Sequence, residues 1–105
     1  MACDYLIKHG LSIIERNFRS KLGEIDIVAL DAKVLVFVEV KYRKTASKGH
    51  PEEAVNINKM RKICKVAGYY MMKNHLSANA FYRFDVVAIE GRSVRWYKNA
   101  FSYIS

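Results

Sequence analysis

Structure-breaking residues are scarce in this chain: one proline and five glycines among 105 residues. A collagen-like or Pro/Gly-rich disordered chain is thereby excluded. Cysteine is scarcer than glycine. Cys3 and Cys64 stand far apart with no C-x-x-C, which argues against a disulfide framework or a cysteine-built zinc site and fits a reducing cytosol. Cys64 has apolar neighbours at helical spacing and reads as a core thiol. Long apolar runs are missing too. The longest, Val34-Leu35-Val36-Phe37-Val38, falls far short of the ~20 residues of a spanning helix. Residues 1–8 show no basic cap followed by an apolar stretch, so no secretory signal is expected, and a cytoplasmic place away from membranes is.

Negative charge is also in short supply. Asp plus Glu number 10 against 18 Lys plus Arg, a formal charge of +8 with a pI near 9.6. Such an excess on a small body points to an anionic partner; nucleic acid, anionic lipid and acidic protein all qualify. What the chain does have is core material. Residues AVILMFWYC make up 51%, enough for one domain over 1–105, with no room for a second.

Hydrophobic periodicity predicts the order αβββαββ. A helix over 2–9 places Ala2, Tyr5, Leu6 and His9 on one side and ends at Gly10. Strands follow over 12–18, 24–30 and 34–42, the last rich in β-branched residues, with Asp31-Ala32-Lys33 as a turn. A basic loop over 43–50 leads to a long helix. Pro51 suits its first position and Glu52 and Glu53 its positive end, and it runs to about His75. Its apolar stripe is Ile57, Met60, Ile63, Cys64, Ala67, Tyr70 and Met71. Two more strands, 81–89 and 94–98, turn at Gly91. Three consecutive strands make an antiparallel meander, and a helix leading to a further strand makes the sheet mixed, flanked by helices: an α/β fold.

The third strand changes character along one face. Val34, Val36, Val38, Val40 and Tyr42 share one side, while Leu35, Phe37, Glu39 and Lys41 share the other. The second face starts apolar and ends charged, as where a buried face opens into a cleft. The second strand mirrors it: Glu24, Asp26, Val28 and Leu30 share a face with the charges first. With a two-residue loop at Ala32-Lys33, Asp26 faces Glu39 and Glu24 faces Lys41. A three-residue loop puts the two acids on opposite faces. Two opposed carboxylates in a half-buried cleft repel, and a divalent cation relieves that repulsion. Lys41 beside them can orient or deprotonate a water and oppose phosphate charge. Together these groups describe phosphodiester hydrolysis. The plain alternative is a surface ion pair of Glu39 with Lys41.

Basic residues surround this place in the sequence. Arg43, Lys44 and Lys48 sit on the loop after Lys41 and suit backbone phosphates, which position a substrate without reading bases. Lys59 and Lys62 lie on a flank of the long helix, where solvated lysines are the alternative. Glu24 can support the site through Lys41. Asp85 can orient a basic residue or form a structural ion pair.

Three segments carry a resemblance: Gly23-Glu24-Ile25-Asp26-Ile27-Val28-Ala29, Val36-Phe37-Val38-Glu39-Val40-Lys41-Tyr42-Arg43 and Arg83-Phe84-Asp85-Val86-Val87. With Tyr5-Leu6 to Gly10, Arg16-Asn17-Phe18-Arg19, Glu53-Ala54-Val55 and Lys59, they resemble the YraN-like family of small bacterial predicted endonucleases. That family is similar to the PD-(D/E)xK superfamily and its archaeal Holliday-junction resolvases. The resemblance implies a restriction-endonuclease-like αβββαβ core and a catalytic set of Asp26, Glu39 and Lys41. It implies Mg²⁺ (or Mn²⁺) on Asp26 and Glu39 with the Val40 carbonyl as an extra ligand, and DNA, branched DNA included, as substrate. Ile25 stands where the superfamily name has proline. Relatives open the first helix with Gly-Glu-x-x-Ala, and this chain meets that motif only from Ala2. A homodimer would supply two sites to a junction, with the tail Asn99 to Ser105 at its contact. A binding module of the same fold that does not cut, and a protein-interaction domain whose charge serves solubility, are the rival readings.

Overall fold

The computed structural model describes residues 1–43, 56–76 and 80–103. The elements come in the expected order: α1 (Ala2–Lys8), β1 (Ser12–Ser20), β2 (Gly23–Asp31), β3 (Val34–Arg43), α2 (Ile57–Lys73), β4 (Tyr82–Glu90) and β5 (Ser93–Phe101). The strands form one five-stranded sheet in chain order, β1-β2-β3-β4-β5. All neighbours are antiparallel except β3 and β4. A parallel pair cannot be joined by a tight turn, and α2 lies in the crossover between these two strands.

The parity read in β3 divides the core into two layers. Leu35 and Phe37 pack with Phe18, Val28, Phe84 and Val86 under Ile63, Cys64, Val66, Ala67 and Tyr70 of α2. Val36 and Val38 pack with Ile27, Ala29, Val87 and Ile89 against Ala2 and Leu6 of α1. Each face of the sheet thus has its own helix, which is why β3 is apolar on both sides. Among the described residues no helix is long and apolar enough to cross a membrane.

The β2–β3 hairpin adopts the two-residue loop: Asp31 pairs with Val34 and Leu30 with Leu35. Ala32 takes φ 54° to make it, a left-handed conformation that costs an alanine about 1 kcal/mol. The aliphatic register across the two strands outweighs that cost, since a one-residue slip would turn each buried valine to the wrong face.

Two expectations are corrected. α2 starts at Ile57, not Pro51. Asn56 is extended (φ −76°, ψ 168°) and its side chain accepts the Lys59 N–H at 2.9 Å, an N-cap that fixes the start. Pro51, Glu52 and Glu53 lie outside the described residues, and Ile57 is 53% exposed rather than part of the apolar stripe. β5 continues to Phe101 instead of ending at Lys98. Its register shifts between the pairs at Phe84 and Val86, and the strand resumes with Phe101 stacked on Phe84, centroids 4.9 Å apart. Residues 99–101 are therefore strand, not tail. Of the two readings of Asp85, the structural ion pair is the one that forms, with Arg83 inside the sheet. Asp85 is fully buried, and its carboxylate accepts hydrogen bonds from Arg83 Nε at 3.0 Å, Arg83 Nη2 at 3.1 Å, Trp96 Nε1 at 2.8 Å and the Asn99 N–H at 2.9 Å. Arg83 is held in turn by Asp31 at 2.9 Å.

Candidate active site

Backbone pairing of β2 with β3 runs from the hairpin to Ile27–Val38 and stops. Asp26 and Glu39 come next on the two strands. In the same register Val40 would face Ile25. Its N–H instead goes to Asp26 Oδ2 at 2.8 Å, so a carboxylate takes the donor that the ladder leaves over.

The alternation of β2 changes at the same point. Val28 and Ile25, three positions apart, both belong to the layer under α2, which a regular strand cannot achieve. The opposite residue on β1 is Asn17, flanked by the pairs Arg16–Ile27 and Phe18–Ile25. Asn17 has φ 52°, a conformation asparagine tolerates better than most residues. β1 and β2 turn over together here while β3 separates from β2, and the opening holds the two acids.

The acids do not sit comfortably. Glu39 is 7% exposed. Burial, then the charge and hydrogen bond of Asp26, push its carboxyl up to about 7. Lys59, reaching from the first turn of α2, opposes this with its Nζ 3.4 Å from Glu39 Oε1. Burial, and the charge of Lys59 next to it, lower the Lys41 ammonium below its ordinary value. For Lys59 itself burial works against the charge, but Glu39 outweighs it and the pKa rises.

Two openings reach this group, each of about 470 Å³. Asp26, Glu39 and Lys59 line both, so the two are lobes of one cleft with the acids at their junction. The first lobe is bounded by Ala2, Cys3 and Asp4 of α1, Arg16 and Asn17 of β1, and Val40, Lys41 and Tyr42 of β3. The second is bounded by Gly23, Glu24, Asn56, Asn58, Lys62 and Ile63.

Of the residues singled out in the sequence, Asp26, Glu39, Val40, Lys41 and Lys59 come together. Lys62 is exposed and lines the second lobe. Glu24 also lines it, but the expected opposition to Lys41 does not form. The ladder has ended, and the partner of Glu24 is Arg19, across β1 at 3.5 Å. Asp85 is not among the residues lining either lobe. Lys44, Lys48 and the Arg43 side chain lie outside the described residues. Sequence reasoning missed Asp4, Arg16 and Asn17 as lining residues, since nothing local marks them. It missed Asn56 although an asparagine ahead of an apolar periodic run is a helix-start signal.

The model of the uncharacterised protein family UPF0102 matches residues 1–89. A UPF0102 protein of Lachnoclostridium phytofermentans is 50% identical over 100 residues, covering 95% of this chain and 85% of its own length. One from Aliivibrio fischeri is 48% identical over 103 residues, covering 95% and 84%. One from Caldicellulosiruptor bescii is 53% identical over 90 residues, covering 85% and 75%. The matched span of the family model includes every residue that the cleft draws on.

Proposed function

Since the chain belongs to the UPF0102 (YraN-like) family, whose description carries no activity, we propose from the site itself that it is a divalent-metal-dependent endonuclease hydrolysing DNA phosphodiester bonds, branched DNA included. The observation that carries this reading is the confrontation of Asp26 and Glu39 where β2 and β3 part. Burial and the Asp26 charge hold a proton on Glu39 to about pH 7, and a cation relieves the same strain.

Asp26 and Glu39, with the Val40 carbonyl, would hold Mg²⁺ (or Mn²⁺). Among the described residues there is no group of three or more His, Cys, Asp or Glu that could hold a metal. Two carboxylates plus waters and a phosphate oxygen is a donor set that Mg²⁺ accepts and a structural zinc site does not. When bound, such an ion supplies Lewis acidity and makes a bound water easier to deprotonate. The chain's own groups do the rest. The Val40 N–H fixes the Asp26 carboxylate. Lys41, its proton loosened by burial, accepts the proton of the attacking water or, when charged, opposes the charge on the phosphate. Lys59 and Arg16 supply cations on either side, as expected for a chain of charge +8 that follows a polyanion. The order αβββαβ with the acids on β2 and β3 suits a restriction-endonuclease-like reading of the α/β fold. A two-fold pair of chains would present two sites to a branched substrate.

The test is cleavage of linear, nicked and branched DNA with Mg²⁺ or Mn²⁺, alongside calorimetric Mn²⁺ binding. Asp26→Ala should abolish both cleavage and metal uptake while DNA binding persists. If the purified protein cuts none of these substrates with either ion, the hydrolase reading fails. Salt-sensitive DNA binding without metal uptake would instead establish the binding-module reading, in which Lys59 neutralises Glu39.

A further inference from the structure

Resting on the nucleic-acid reading of the cleft, we infer that Tyr42 is a stacking platform for an unpaired base beside the scissile phosphate, so that the substrate carries unpaired nucleotides where it is cut. Tyr42 immediately follows Lys41 on β3 and lines the first lobe of the cleft. Among the described residues it is the one aromatic that lines either lobe. It shares its strand face with Val36, Val38 and Val40, yet where Val36 and Val38 are buried Tyr42 is 73% exposed. Other aromatics of both layers find ring partners, such as Phe37 on Phe84 and Tyr5 on His9. Among the described residues no ring contact involves Tyr42.

An exposed tyrosine far from any site needs no explanation. This one lines a lobe that also carries the cations Arg16 and Lys41 beside the carboxylates Asp4, Asp26 and Glu39. A polynucleotide held there by its phosphates would bring an apolar base face to an apolar ring face. Base–aromatic stacking is tolerant of sequence and requires a base that has left its helical stack. A fully paired duplex keeps its faces covered and gains nothing from Tyr42. A single-stranded or locally unpaired segment gains the contact. The lobe's volume of about 470 Å³ accommodates one nucleotide rather than a duplex turn.

The experiment is fluorescence anisotropy in EDTA, so that no cleavage occurs. The probes are a short labelled single-stranded oligonucleotide and the same strand in duplex. Tyr42→Ala should weaken single-strand binding about tenfold, within the range measured for loss of a stacking ring, and leave duplex binding unchanged. Tyr42→Phe should keep single-strand binding, since the ring and not the hydroxyl carries it. Single-strand binding by Tyr42→Ala equal to that of the unmodified protein overturns the inference. Failure of the unmodified protein to bind either probe overturns the nucleic-acid reading and the inference together. Because no metal is present, absence of cleavage elsewhere does not alter this readout.

Discussion

Two buried acidic centres share the sheet, and they are built in opposite ways. Asp85 on β4 is fully buried, yet three donor groups on two side chains and a backbone N–H converge on it. A charge so surrounded has its hydrogen-bonding capacity used up. Glu39 on β3 is nearly as buried, but its nearest carboxylate neighbour is another acid and its cationic partner stands at 3.4 Å. Burial alone therefore says nothing of function. What separates the two is whether the fold supplies the charge with its partners, as at Asp85, or leaves it dependent on something that arrives.

The sharpest way to break this comparison is at Asp85. Asp85→Ala removes the buried acceptor of Trp96 Nε1, the Asn99 N–H and two nitrogens of Arg83, leaves Arg83 only Asp31, and should cost about 3–5 kcal/mol of stability, read by urea denaturation. Mn²⁺ affinity of the fraction that remains folded should not change. A small stability loss would mean that the two centres are not different in kind.

Next in size is Glu39→Gln. The Glu39 carboxyl sits above its unfolded value, so the native state binds the extra proton between about pH 4.5 and 7. Stability of the metal-free protein should then fall as pH rises through that window. Removing the ionisable group removes the fall. Glu39→Gln should exceed the unmodified protein in stability by on the order of 2 kcal/mol near pH 8, and the gap should close toward about pH 5. Equal pH profiles of the two proteins would show that Glu39 already has what it needs.

Smallest is Arg19→Ala. The Arg19–Glu24 pair is long and largely in solvent, with side-chain exposures of 77% and 38%. Its loss should change stability by no more than about 0.5 kcal/mol, within the error of a thermal melt. A larger effect would give Glu24 the supporting role that its geometry denies it.

Much of the fold was legible because short-range rules decide it. The alternation in β3 told which residues divide between the layers, and the hairpin loop then brought Asp26 opposite Glu39. The start of α2 was legible too, through Asn56, but Pro51 and two glutamates gave a competing signal upstream. What was not legible depends on residues distant in sequence. The partners of Asp85 include Trp96 and Asn99, which reach it only because β5 is irregular there. Glu24 looked paired with Lys41 because parity was extended past the point where the strands separate. That separation needs the turnover at Asn17, and a lone asparagine in a strand does not announce it. The lysines expected beyond β3, Lys44 and Lys48, fall outside the described residues.

The irregularities in β1 and β5 have a second consequence, for how copies of this chain meet each other. These two strands are the open edges of the sheet, and an open edge offers backbone groups to any passing strand. Each edge carries a register shift, at Ile13–Glu15 and opposite Asp85, and each carries an asparagine of positive φ, Asn17 and Asn99. Each also presents exposed cations, Arg16 and Arg19 on one side and Arg95 and Lys98 on the other. Bent, interrupted and positively charged alike, the two edges are poor templates for one another. The arginines and lysines that give the chain its charge of +8 therefore also guard it against aggregation by strand addition.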